Sequence, residues 1–234
     1  MEKDFESYLS NPVEEGFIFG NITENIILDT LKNLKSKNSS GHDKISTKLL
    51  KEIMPSIIIP VVYIFNLSIR TGFVPDSYKR ARVIPIFKSG TRGDFTNYRP
   101  ISLLSSFSKL LEKIIAKQMF GFLNKHNILY SYQFGFRPQH DTTQPIIQFL
   151  DRIYAALNKK DAEYTRGIFL DLKKAFDTVD HKILLKKMFH YGFKGVTNKW
   201  FENYLTNRTQ YVAINYSESS SKTVNCGMPQ GSVL

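Results

Sequence analysis

Hydrophobic residues recur at helical spacing in two long stretches of the chain. FSKLLEKIIAKQMFGFL, residues 107–123, places leucine and isoleucine on one side and lysines on the other. TTQPIIQFLDRIYAAL, residues 142–157, opens with threonines that can cap a helix and has Pro145 near its first turn. Both patterns predict amphipathic helices.

The first third of the chain also predicts helices, separated by a polar loop. Thr23 can cap a first helix, and the polar segment 36–46 reads as a loop. A second helix is expected over about 46–53, where Pro55 would end it. A third helix would follow and stop at Gly72.

Strand patterns are shorter and irregularly placed between the helices. The expected strands are RVIPIFKSG (82–90), the apolar run at 168–172, TQYVAIN (209–215) and SKTVNC (221–226). A helix should follow the 168–172 strand, whereas residues 1–20 show no period and predict a loose arm. This irregular mixture predicts an α+β fold.

The chain of 234 residues has a formal net charge of +11, which favours a polyanionic partner, nucleic acid first and an acidic membrane surface second. The longest apolar run, 57–65, is shorter than the roughly 20 residues that span a bilayer. A membrane-surface partner is disfavoured because no predicted helix joins a strongly apolar face to a Lys/Arg-rich one with interfacial tryptophan, and Trp200 is the one tryptophan. Cys226, the one cysteine, excludes an internal disulfide. With no apolar signal core, we expect an intracellular location, in cytoplasm or nucleus, and no secretion.

Asp171 is the first candidate for chemistry, because it lies at the end of the expected strand 168–172. Its carboxylate could hold a hard cation such as Mg²⁺ or could cap the following helix, and the residues alone leave both open. Asp180 fits a helix cap better than a ligand. Asp177 stays open, and Phe176 reads by default as a core aromatic.

Three further stretches carry basic, aromatic and glycine residues. KSGTRGDFTNYRPISL (88–103) could clamp a triphosphate or form a solvated turn. YSYQFGFRPQHDTT (130–143) places Arg137 among aromatics. NCGMPQGSVL (225–234) surrounds Gln230 with glycines, which permit close approach of a ligand.

Taken in order, six stretches resemble the reverse transcriptase of non-LTR, LINE-type (jockey-like) retrotransposons. They are NSSGHDKIS (38–46), ARVIPIFKSG (81–90), NYRPISLLSSFSKLLEKII (97–115), QFGFRPQHDTT (133–143), FLDLKKAFDTVDH (169–181) and GMPQGSVL (227–234). The resemblance covers about residues 22–234. Reverse transcriptases of the group II intron type share the palm chemistry, but the sequence NYRPISL favours the LINE type.

The resemblance implies part of a right-hand polymerase. After an arm at 1–20, the reverse transcriptase domain would cover 21–234, with fingers over about 21–160 and a partial palm over about 161–234. The thumb would be absent. The family's second acidic motif, Tyr/Phe-Ala-Asp-Asp, would lie beyond the last residue.

The resemblance also implies roles for single residues. Asp171 and the backbone carbonyl of Leu172 would bind Mg²⁺ (or Mn²⁺), and Phe176 would exclude a ribose 2′-OH. Other residues would contact the incoming nucleotide, namely Lys88, Arg99, Gln230 and Gly231. Asp177, Asp180 and Arg137 would be structural.

The implied activity is RNA-directed DNA polymerisation, by two-metal nucleotidyl transfer to a primer 3′-OH. Its partners would be an RNA template, a DNA primer and dNTPs. Because one carboxylate binds Mg²⁺ poorly, the expectation is that this chain alone is an inactive fragment. The alternative is a non-catalytic nucleic-acid-binding remnant of a retroelement. The oligomeric state stays open.

Overall fold

The computed structural model describes residues 5–9, 11–159, 164–215 and 217–234. The chain divides into two compact units. The first comprises Met1–Phe122 and Lys174–Leu234, and the second comprises Leu123–Lys173. Each unit is described by itself below.

Helices and strands are mixed irregularly along the chain, as the sequence pattern predicts. The helices are α1 (Glu24–Lys32), α2 (Thr47–Thr71), α3 (Ser106–Lys125), α4 (Thr143–Leu157), α5 (His181–His190) and α6 (Val196–Leu205). The strands are β1 (Arg80–Phe87), β2 (Tyr98–Leu103), β3 (Arg208–Ile214), β4 (Ser217–Glu218) and β5 (Lys222–Val224). The content confirms a mixed α and β structure. Neither α6 nor β2 was predicted.

The strands form one mixed sheet in the first unit. Its order is β2-β1-β3-β4, and β5 pairs with β3. β1 and β2 form an antiparallel hairpin, whereas β1 and β3 run parallel. The sheet therefore joins a segment before residue 104 to a segment after residue 207.

α1 forms as predicted, because the Thr23 hydroxyl accepts a hydrogen bond from the Ile26 N–H at 3.3 Å. α2 differs from the prediction: one helix runs through Pro55 and Pro60 and ends at Gly72, whose φ is 72°. Both prolines lie on the exposed side of the helix. The buried face on the other side holds the helix together.

α2 is long and apolar enough to cross a membrane by length and composition alone. A core helix of a globular protein meets the same criterion. Leu50, Met54 and Phe65 of α2 are fully buried inside the first unit. This face packs against α1 and α6.

An aromatic cluster forms the core near α6. Phe17 lies 4.8 Å from Phe193 between ring centres, and Trp200 stacks on Tyr204 at 5.4 Å. The indole N–H of Trp200 donates to the Ser68 hydroxyl at 3.0 Å. Phe17, which lies within the predicted loose arm at 1–20, is therefore packed into the core.

The second unit holds α4 and the whole 168–172 segment, which has no regular structure. The prediction of a strand at 168–172 is therefore wrong. A strand needs a neighbour to pair its backbone groups, and no described strand pairs with this segment. Leu170 is 91% exposed.

Candidate functional site

The β1–β2 hairpin carries two of the predicted site residues on one face. Ile86 pairs with Arg99, and the Lys88 N–H donates to the Asn97 carbonyl at 2.8 Å. Opposite residues of an antiparallel pair share a face, and so do alternate residues of one strand. Lys88 and Arg99 are therefore diagonal neighbours, and both side chains are exposed.

The glycine-containing loop 225–234 is attached to β2. The Ser102 N–H donates to the Gln230 carbonyl at 2.8 Å. Gly231 has a φ of 124°, and a Cβ there would lie 2.6 Å from the Ser102 carbonyl oxygen. The position therefore requires glycine, both for its backbone conformation and for this close approach.

The same loop is attached to the turn before α5. The Met228 N–H donates to the Phe176 carbonyl at 2.7 Å, and the Gly227 N–H donates to the Val179 carbonyl at 2.9 Å. A Cβ on Gly227 would lie 2.7 Å from the Asp177 carbonyl oxygen. His181 Nε2 lies 2.7 Å from the Gly227 carbonyl oxygen and links the start of α5 to the loop.

Gln230 and Asp177 meet in a cleft. The Gln230 amide donates to the Asp177 carboxylate at 3.2 Å. The cleft has a volume of about 250 Å³ and is lined by Pro100, Ser102, Asp177, Gln210, Val224, Cys226, Gly227, Met228, Pro229 and Gln230. It brings together two residues that lie far apart in the sequence and that the motif analysis singled out separately.

A buried carboxylate, Glu112 of α3, holds the end of the loop. It accepts hydrogen bonds from the Val233 N–H at 2.9 Å and from the Ser108 hydroxyl at 2.8 Å. Burial raises the pKa of Glu112, whereas the Val233 N–H and the Arg208 guanidinium oppose this rise. The same carboxylate, together with burial, raises the pKa of Tyr204.

The sequence analysis missed Glu112, although a signal was present. It is the one acidic residue of α3, adjacent to the apolar Leu111 and one helical turn after Ser108. Arg208, which begins β3, is also fully buried and donates to the Tyr204 carbonyl at 2.9 Å. Two buried charged residues therefore lie directly behind the loop.

The three residues that the resemblance implies to be structural each make a side-chain hydrogen bond. The Asp180 carboxylate accepts hydrogen bonds from the N–H groups of Lys182 and Ile183, which lower its pKa and confirm the predicted helix cap. Asp177 accepts the bond from Gln230. In the second unit, Arg137 donates to the Tyr130 carbonyl at 3.2 Å.

Asp171 and Leu172 belong to the second unit, and both are exposed. Among the described residues, no group of three or more histidine, cysteine, aspartate or glutamate side chains could hold a metal ion. Mg²⁺ gives up its waters reluctantly and needs several oxygen ligands. The described residues therefore do not fit a complete magnesium site.

Residues 86–234 match the sequence profile of the reverse transcriptase (RNA-dependent DNA polymerase) family. The matched segment includes β2, the 169–181 stretch and the loop at Gln230, and the chain belongs to this family.

Curated relatives narrow the class. The chain is 34% identical over 97% of its length to a Drosophila melanogaster protein described as "Probable RNA-directed DNA polymerase from transposon BS". It is 30% identical over 99% of its length to the RNA-directed DNA polymerase from mobile element jockey of the same species. The chain spans about 25% of the length of each. It is thus a reverse transcriptase domain of the non-LTR retrotransposon class.

Proposed function

We propose that the whole protein carrying this chain is an RNA-directed DNA polymerase that extends a DNA primer on an RNA template with dNTPs. The observation that carries the proposal is the cleft at Gln230. A loop with two obligatory glycines is attached on one side to β2 and on the other to the turn containing Phe176. These attachments fix the loop in one conformation, in which Gln230 lines the cleft.

The roles of the exposed residues follow from charge and position. Lys88 and Arg99, on one face of the hairpin, would offset the negative charge of the incoming triphosphate. Phe176, at the turn that holds the loop, would exclude a 2′-OH, and Gln230 and Gly231 would line the nucleotide pocket. A location in the cytoplasm or nucleus, where RNA templates occur, belongs to the same proposal.

Asp171 would supply one carboxylate to a divalent metal site, Mg²⁺ or Mn²⁺, with the Leu172 carbonyl beside it. The family implies divalent metals, but the described residues provide no complete ligand set. The proposal therefore assigns Asp171 as one ligand among several and derives no catalytic step from the described residues alone.

A second candidate function is nucleic-acid binding without catalysis. The formal net charge of +11 favours it, because a basic surface binds a polynucleotide backbone whether or not a metal site is complete. The two candidate functions predict the same RNA binding, but only the polymerase predicts nucleotide incorporation.

The test is primer extension on an RNA template by the whole protein carrying Gln230→Ala. The lost amide should raise the KM for dNTP, by about tenfold for one hydrogen-bonding group in a nucleotide pocket. Gln144→Ala, an exposed glutamine at the start of α4, is the matched control and should leave the KM unchanged. An unchanged KM in Gln230→Ala would remove the cleft from the proposed nucleotide site.

A further inference from the structure

A second cavity, of about 340 Å³, lies in the first unit on the other face of the sheet. It is lined by Gly41, His42, Lys44, Arg80, Arg82, Tyr211, Asn215 and Glu218. Gln210 lines the cleft at Gln230, whereas its neighbour Tyr211 lines this cavity. Successive residues of a strand point to opposite faces, so the sheet separates the two sites.

The strand register brings two arginines to one side of this cavity. Arg80 and Arg82 alternate on β1 and share a face, and Arg82 pairs with Tyr211 on β3. The guanidinium carbon of Arg80 lies 5.0 Å from the centre of the Tyr211 ring. Cation–π contact with the ring orients this guanidinium group.

The charges around the cavity converge on the Tyr211 phenol. Burial raises its pKa most, and the carboxylates of Glu218 and Asp43 raise it further, whereas Arg80 and Arg82 lower it. Lys44 contributes a third cation to the lining. Three cations thus lie near two acids, and the formal charge around the cavity remains positive.

Two nitrogen atoms in the lining have no partner. Arg82 Nε and His42 Nδ1 are buried and make no hydrogen bond to any described residue. A buried donor without a partner costs about 1–3 kcal/mol, and each such group calls for an explanation. A bound anion would accept the Arg82 Nε–H bond and would lower this cost.

The loop that carries His42 and Lys44 is held in place. The Ser105 hydroxyl donates to the Asp43 carboxylate at 2.6 Å. A Cβ on Gly41 would lie 2.7 Å from the Ser105 nitrogen, so the loop packs closely against the start of α3. Lys44 adopts a φ of 59°, which an L-residue rarely takes. The cavity is therefore preorganised, which lowers the entropic cost of binding.

We propose that this cavity binds a phosphate group, as one phosphodiester of an RNA backbone or as a free phosphate. Arginine guanidinium groups match phosphate oxygens in geometry and charge. Glu218 faces the same space and disfavours a polyphosphate, which carries more negative charge. Lys88 and Arg99 share this face of the hairpin by register but do not line the cavity, and phosphate binding here does not depend on polymerase activity.

The test measures binding of a labelled 15-nucleotide single-stranded RNA to the whole protein without dNTPs, and of inorganic phosphate by the same protein. Arg82→Gln should weaken the binding of the RNA or of inorganic phosphate by about tenfold. For RNA, the slope of log K against log salt should also fall by about 1. Lys44→Gln, on an exposed loop, should act in the same direction without affecting folding. Lys117→Gln, an exposed lysine of α3, is the charge-matched control.

Loss of RNA binding beyond the Lys117→Gln control would assign the site to the RNA backbone. Loss of inorganic phosphate binding alone would assign it to free phosphate. If both Arg82→Gln and Lys44→Gln behave like the control in both assays, the proposal is overturned. Because no nucleotide is incorporated in these assays, this result is independent of the polymerase proposal.

Discussion

Gly227 and Gly231 explain at the residue scale why the 227–234 stretch has its composition. Each has a positive φ, and each lies against a backbone carbonyl at a distance that a Cβ would make too short. Neither requirement depends on a bound nucleotide. The loop geometry is therefore part of the folded domain before any substrate arrives.

Replacing Gly231 with alanine should destabilise the domain. The new Cβ would meet the Ser102 carbonyl in a backbone conformation unfavourable for L-residues, at a cost of about 1–3 kcal/mol. Gly121→Ala, in α3 with nothing within 4 Å of the new Cβ, should instead stabilise by up to about 1 kcal/mol. Denaturant unfolding measures the change in unfolding free energy of both variants. Equal changes in the two would refute the close approach at Gly231.

Phe176 supports a prediction about substrate choice. Its side chain is 48% exposed at the turn that holds the loop, so part of its surface faces solvent. Phe176→Val in the whole protein should raise incorporation of rNTPs relative to dNTPs. Phe95→Val, at a phenylalanine that is 91% exposed in the β1–β2 connection, should not change this ratio. If Phe176→Val also leaves the ratio unchanged, the gating role is wrong.

At the element scale, periodicity predicted the helices that bury one face and the caps at Thr23 and Asp180. It failed where tertiary contacts decide. Buried packing carries α2 through Pro55, against local propensity. The 168–172 segment has the composition of a strand but no described pairing partner. The contact between Gln230 and Asp177 joins segments 53 residues apart, which no local pattern reveals.

Glu112 links α3 to the loop and makes stability depend on pH. A raised pKa means that the folded state holds this proton more tightly than the unfolded state, whose reference pKa is 4.5. The free energy of unfolding therefore falls as pH rises from about 4.5 towards the folded pKa. The slope from this group approaches about 1.4 kcal/mol per pH unit.

Glu112→Gln should remove this dependence. The amide oxygen can still accept from the Val233 N–H, whereas the amide NH2 would have to donate to the Ser108 hydroxyl, which accepts in place of donating. The unfolding free energy of the parent should therefore fall, relative to that of the variant, as the pH rises. Urea unfolding at a series of pH values measures it. A constant difference across the range would show that Glu112 has an ordinary pKa in the fold.

At the scale of the whole molecule, the chain combines a strongly basic composition with a cleft on one face of the sheet and a basic cavity on the other. Composition indicated the polyanionic partner, and the ordered motifs indicated the family. Asp171 belongs to the second unit and the cleft residues to the first. The polymerase proposal requires Asp171 to bind a metal ion in the whole protein.

The most direct test is the Asp171→Ala variant of the whole protein, assayed for dNTP incorporation on a primed RNA template and for RNA binding. We expect incorporation to fall by at least about 100-fold, because a metal ligand is lost, while RNA affinity stays within about twofold. Asp151→Ala, at an exposed aspartate of α4, should retain both. Retained incorporation in Asp171→Ala would contradict the account.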